Sequence, residues 1–242
     1  MQTLKEIIIV GGGSSIAEGL VLGLKDKLSE KCVIGINYAF RHFDLTALCF
    51  SDRDFYRPLH MKTKKEANPD IYEELGKLDL LIIGGRRNAD LDKIAHPNTV
   101  LISCPKKELG HIPPLSGMFT LSVAEALHPD KIFLLGYDWP TRNPNGCPTG
   151  KRYAPKDESL DIHYYKKEIP HAGLGFVGFY ENHNPDNYFK FFNSSKSKIY
   201  NVSPNSNIQN FEKIDYPKFF KLLSSDTINQ KETREAIRLS LK

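Results

Sequence analysis

Short apolar runs recur along the chain at residues 7–10, 32–36, 47–50, 80–83, 100–102 and 132–135, each bounded by Gly, Asn, Asp or Pro. Runs this short and this uniformly apolar predict strands buried on both faces. Two of the stretches between them carry apolar residues at helical spacing. Residues 15–28 place Ile16, Leu20, Leu24 and Leu28 at four-residue steps, and residues 116–127 carry Met118, Leu121, Val123, Ala124 and Leu127. Strands alternating with helices predict an α/β protein with a doubly wound, mostly parallel sheet.

From residue 140 the texture changes. Pro140, Asn143, Pro144, Asn145, Gly146, Pro148 and Gly150 form a turn-rich stretch, followed by charge and aromatics up to Tyr180. A segment of this kind after a sheet strand reads as a lid, placed at 140–182. Residues 186–193 then read as a helix and 198–202 as a late strand. Residues 227–242 read as a polar helix packing through Ile228, Ala236, Ile237 and Leu239. There is no internal repeat, so the expected division is a nucleotide-binding unit over 1–207, lid included, and a helical tail over 208–242.

Composition narrows the picture. At 242 residues, 40% hydrophobic and 26% charged, the chain resembles ordinary globular proteins, which excludes wholesale disorder, collagen and coiled coil. The net charge of +4, from 33 Lys+Arg against 29 Asp+Glu, suits a small anionic ligand and does not call for nucleic acid. No apolar run approaches the roughly 20 residues of a transmembrane helix, so neither secretion nor membrane spanning is expected. Peripheral membrane contact and a homo-oligomer stay open. The cysteines at 32, 49, 104 and 147 have no C-x-x-C spacing. They read as reduced thiols, and the expected location is the cytoplasm.

Candidate chemistry clusters after the strands. Gly11-Gly12-Gly13-Ser14-Ser15 follows the first strand and opens the first helix, where glycines permit close approach and free amides favour a phosphate. It is a poor dinucleotide fingerprint, because the third glycine falls on Ile16 and the ribose-binding acid after the second strand is replaced by Asn37. It is not a Walker A loop either, since no Gly-Lys-Ser/Thr follows. Asn37 can donate to and accept from a ribose or base, or cap a turn. Ser51-Asp52-Arg53-Asp54 closes the third strand, and Gly84-Gly85-Arg86-Arg87 the fourth. Ser116 reads as the N-cap of the 116–127 helix, with Gly117 beside it at amides that suit a phosphate or carboxylate. Asp138 ends the sixth strand, where doubly wound folds place ligands. Among eight histidines, His163, His171 and His183 fall in or just beyond the lid. Without metal spacing, a general base is their functional reading.

The ordered set resembles a known family. Val10 to Ser15, Asn37, Leu115-Ser116-Gly117-Met118-Phe119 opening a helix that ends Ala124-Glu125-Ala126-Leu127, Lys131 to Asp138, and Ser203-Pro204-Asn205-Ser206 look like the bacterial sialyltransferases of glycosyltransferase family 42. The resemblance implies a Rossmann-like domain with a lid and C-terminal helices. It implies an inverting, metal-independent transfer of an acidic sugar from a CMP donor to a glycan or other hydroxyl acceptor, with no further cofactor. His183 matches the family's base, and Tyr153 a lid tyrosine that steadies the departing phosphate. Gly11, Gly12, Gly13, Ser14, Asn37, Ser51, Ser116, Gly117 and Asp138 would hold the nucleotide. The family's loop Asn is Gly12 here, its Asn after strand three is Ser51, and its first phosphate-contacting Tyr is Pro140.

The sheet and glycine loop also resemble a wider group that includes motility-associated glycosyltransferase-like proteins and archaeal hydroxymethylpterin diphosphokinases. A sialyltransferase-like glycosyltransferase is therefore the first functional expectation. The alternatives are a pterin diphosphokinase-like phosphotransferase, with Mg²⁺ on Asp52, Asp54 or Asp138, and a nucleotide-binding protein without catalysis.

Overall fold

The structure, a computed structural model, describes residues 4–51, 71–85, 98–110, 115–139 and 184–241. Eight strands form one all-parallel sheet: β1 (Glu6–Val10), β2 (Val33–Ile36), β3 (Ala47–Phe50), β4 (Leu81–Gly85), β5 (Thr99–Ile102), β6 (Lys131–Leu135), β7 (Lys198–Asn201) and β8 (Glu212–Lys213). Their spatial order is β5-β4-β3-β2-β1-β6-β7-β8. The chain moves outward from β1 to β5, then jumps back past β1 to β6 and continues the other way. That reversal makes β1 and β6 the topological switch point of the sheet.

The helices are α1 (Ile16–Val21), α2 (Leu24–Leu28), α3 (Ile71–Gly76), α4 (Ser116–Ala126), α5 (Pro185–Phe189), α6 (Tyr216–Leu222) and α7 (Gln230–Ser240). Right-handed crossovers put connections that run in opposite directions on opposite faces. Accordingly Ile16 and Leu24 of α1 and α2, Ile71 and Leu75 of α3 and Phe219 of α6 pack with Ile8 and Val10 of β1. On the other face Met118, Leu121 and Val123 of α4, Phe189 of α5 and Ile237 of α7 pack with Ile7 and Ile9. Every residue of β1 is buried, as a strand covered on both faces requires.

Several expectations are corrected in detail. The helix expected over 15–28 is two short helices, broken where Gly23 takes φ 81°. Glycine weakens a helix and accepts the left-handed conformation that ends one. The 186–193 helix is one α-helical turn, α5, followed by a 3-10 turn over Lys190–Phe192. In the 208–242 stretch, expected to be purely helical, β8 adds a strand to the sheet and α6 precedes the polar helix. A local signal marks α6: Asp215 caps it, accepting from the Lys218 amide at 2.8 Å, and Pro217 sits in its first turn. On α7, Ile237 is buried and Leu239 faces solvent, so Leu241 and not Leu239 completes the packing face.

The segment after α6 closes the end of the sheet away from the strand C-termini. Glu6 accepts from the Ser224 amide, and buried Lys31 donates to the carbonyls of Ser224 and Asp226, at 2.6 Å each. No helix among the described residues is long and apolar enough to cross a membrane. Cys32, Cys49 and Cys104 are free and buried. Burial pushes the Cys32 thiol up to about 12 and raises Cys49 further. The expected lid at 140–182, Tyr153, His163, His171, His183, residues 52–54, Arg86, Arg87 and Cys147 lie outside the described residues.

Candidate functional site at the strand ends

Parallel register levels the C-terminal ends of the central strands. Val10 pairs with Leu135 and with Gly35, and Ile36 pairs with Cys49. Gly11 and Gly136 therefore leave the sheet side by side, with Asn37 and Ser51 on the neighbouring strands.

At the β1–β6 junction the two loops are in direct contact. The Gly11 amide donates to the Leu135 carbonyl at 2.8 Å and the Gly13 amide to the Gly136 carbonyl at 3.0 Å. A β-carbon on Gly11 would lie 2.9 Å from the Gly136 oxygen. One on Gly13 would lie 2.5 Å from Asp138 Oδ2 and 2.6 Å from the Gly136 oxygen. Gly136 itself adopts φ 69°. These glycines are required because one loop lies against the other.

Beyond β6 the side chains keep alternating between faces. Tyr137 and Trp139 join the cluster on the α4 face, while Asp138 turns to the loop that opens α1. Its carboxylate accepts from the Ser15 amide at 2.8 Å, from the Ser15 hydroxyl at 2.5 Å, from the Ser14 hydroxyl at 3.3 Å and from the Ser203 hydroxyl at 2.5 Å. The backbone carbonyls of this stretch are held from β7 and the loop after it. Tyr137 O accepts from Asn201 and Ser206, Asp138 O from the Asn207 amide, and Trp139 O from the Asn207 side chain. Trp139 has φ 43°, a conformation costly for a bulky residue. It packs against Tyr188 and Phe189.

The β2–β3–α4 corner is built differently. Asn37 follows β2 at φ 50° and starts a 3-10 turn over Asn37–Arg41. Asparagine is one of the few side chains that enter this left-handed region readily. Ser116 is the first residue of α4 and not its N-cap; Leu115 holds that position, and its apolar side chain makes no capping hydrogen bond. The Ser116 hydroxyl instead accepts from the buried Ser51 amide at 3.0 Å and lies 3.1 Å from the Ser51 hydroxyl. Gly117 lies against the Tyr137 ring, and its carbonyl accepts from the Tyr137 hydroxyl at 2.8 Å. Burial, with Cys49 nearby, holds that phenol well above its usual range.

The strand ends thus bring together Gly11 to Ser14, Asn37, Ser51, Ser116, Gly117 and Asp138, and the last is committed to the loop of the first. Ser203, Asn201, Ser206 and Asn207 are structural partners that sequence reasoning missed, although Ser203 and Ser206 belong to a motif it had noted. Among the described residues no group of three or more His, Cys, Asp and Glu side chains is placed to hold a metal ion.

Fold and site together define a doubly wound α/β protein of Rossmann-like architecture whose polar strand ends meet at the β1–β6 switch point. Comparison with protein-family models, with curated proteins and with solved structures found no match.

Proposed function

We propose that this protein is a sialyltransferase-like glycosyltransferase that binds a CMP-linked acidic sugar over the ends of β1, β2 and β3 and transfers it to an acceptor hydroxyl. The observation that carries the reading is the convergence at one rim of Asn37, the Ser51–Ser116 pair and the start of α4. Asn37 supplies a donor and acceptor for ribose or base, and the first turn of α4 faces the donor phosphate. In this reading His183 takes the acceptor proton, Tyr153 steadies the leaving phosphate, and the 140–182 segment closes over the sugar. The donor is the only added group required.

The pterin diphosphokinase reading draws less support. Asp138, one of its three candidate Mg²⁺ ligands, already accepts four hydrogen bonds from the protein. A nucleotide-binding protein without catalysis shares the same rim and differs only in turnover.

Thermal unfolding with CMP, UDP, GDP, ATP and NAD, each with and without Mg²⁺, tests the proposal, because a ligand of the native state stabilises it by about 2.7 kcal/mol at a hundred times its Kd. CMP is expected to raise Tm without metal. A rise only with a purine nucleotide and Mg²⁺ overturns the reading in favour of the diphosphokinase. Asn37→Gly keeps the φ 50° backbone and removes the side chain, so it should diminish the CMP shift with little change in the free protein. His183→Asn should cost about 10²- to 10⁴-fold in transfer rate while CMP affinity holds.

A further inference from the structure

We infer that Asp138 closes the glycine-rich loop to phosphate and so fixes which part of a ligand can lie against it. The inference rests on the strand ends being the ligand site, as proposed above. Loops of this kind bind phosphate by pointing unoccupied amides at it near a helix start. Here five of the amides between Gly11 and Ala17 are engaged within the protein. Gly11 and Gly13 donate to the carbonyls of Leu135 and Gly136, Ser15 donates to Asp138, and Ile16 and Ala17 donate to Gly13 and Ser14.

The carboxylate also takes the Ser14, Ser15 and Ser203 hydroxyls. An anion belonging to the chain thus fills the position a phosphate would need, and a second one beside it meets like-charge repulsion in a half-buried setting. The arrangement is tight: with only hydrogens on the Gly13 α-carbon, even one added carbon would reach 2.5 Å from Asp138 Oδ2. What lies against residues 12–14 is therefore an uncharged surface, a ribose or a sugar ring. Ligands that set a pyrophosphate on this loop, dinucleotides among them, are excluded. A donor with a single phosphate placed farther along the rim is compatible. Asp138 is in this sense a positioning and specificity-determining residue.

Titration calorimetry of inorganic pyrophosphate against the full chain tests the inference. Asp138→Asn removes the charge while its side-chain oxygen still accepts from the Ser15 amide and its nitrogen donates to the Ser15 and Ser203 hydroxyls, so the variant isolates the charge. Pyrophosphate should bind this variant about tenfold or more tightly than wild type. Glu18→Gln removes the same unit of charge from the exposed face of α1 and should change the affinity by less than about threefold. Asp138→Ser, which keeps an acceptor but no charge, takes the same reading if the Asn variant does not fold. Equal pyrophosphate affinity in wild type and the neutral variant overturns the inference, as does an equal gain in Glu18→Gln. In the wild-type protein the Ser15 amide resonance should not move when pyrophosphate is added, and a saturable shift also overturns it. Failure of CMP to bind would remove the functional reading without touching the pyrophosphate comparison, and the reverse holds equally.

Discussion

At the β1–β6 junction several polar groups that look ready for a ligand are taken up by the protein itself: the Gly11 and Gly13 amides go to the Leu135 and Gly136 carbonyls, the Ser15 amide goes to Asp138, and the hydroxyls of Ser14, Ser15 and Ser203 go to the same carboxylate. At the β2–β3–α4 corner, which carries no glycine-rich signature, one serine hydroxyl bridges the end of β3 to α4, and the helix begins after an apolar N-cap, Leu115. The difference separates a loop-to-loop joint from a corner bridged by one serine hydroxyl. A glycine-rich turn signals that something approaches the backbone closely, and at Gly11 and Gly13 that neighbour is another loop of the same chain.

The contrast between the two glycines nearest these regions is the most severe test. Gly13→Ala drives a carbon into Asp138 and Gly136, and should cost about 3 kcal/mol, read as a drop in urea midpoint. Gly117→Ala places its carbon 3.3 Å from the Tyr137 ring, a contact that yields by a small ring shift. Alanine also favours the helix by up to about 1 kcal/mol, so its net effect should stay below about 1 kcal/mol. Similar costs for the two would erase the distinction.

Next in size is Ser116→Ala. It strands the buried Ser51 amide without its acceptor, and an unmade buried hydrogen bond costs about 1 to 3 kcal/mol. Ser51→Ala leaves that amide bond intact and should cost less in the same denaturation experiment. If Ser51→Ala proves the more damaging, the corner is not held by the bond assigned to it.

The smallest expected effect belongs to Tyr137, whose hydroxyl links the β6 extension to Gly117. Tyr137→Phe should cost about 1 kcal/mol near neutral pH. Its pH signature is more specific. Burial raises the folded phenol above its unfolded value of 10.0, so above that pH the unfolded chain releases a proton that the folded one keeps. Stability is therefore present in full below pH 10 and declines as pH rises beyond it. Urea unfolding between pH 8 and 11 should show a shallower alkaline decline in the Phe variant. Parallel curves would mean that the phenol ionises equally in both states.

Much of the fold was legible because it is written locally. Six of the eight strands follow apolar runs, and β7 was visible in Lys198 to Val202. β8 was not, because two residues, Glu212 and Lys213, carry no strand pattern and are extended only by pairing with Tyr200 and Asn201. The break between α1 and α2 was available in Gly19 and Gly23, yet four-residue spacing of the leucines masked it. Among site residues, position along the chain located Asn37 and Ser116 correctly at the rim. It misassigned the Ser116 hydroxyl, because an N-cap reading considers only amides of its own helix, whereas the hydroxyl meets an amide 65 positions away.

By itself the sequence determined which segments are extended, which faces are apolar, and that a glycine-rich turn follows β1. These follow from side-chain sterics and local burial, which a window of a few residues contains. Only the tertiary structure decided that β1 lies between β2 and β6, and with it that the Ser15 amide meets a carboxylate 123 positions away. That contact arises from the packing of two parallel strands whose pairing no local spacing encodes, and it commits the Ser15 amide of a loop that reads as a phosphate cradle to the chain's own carboxylate.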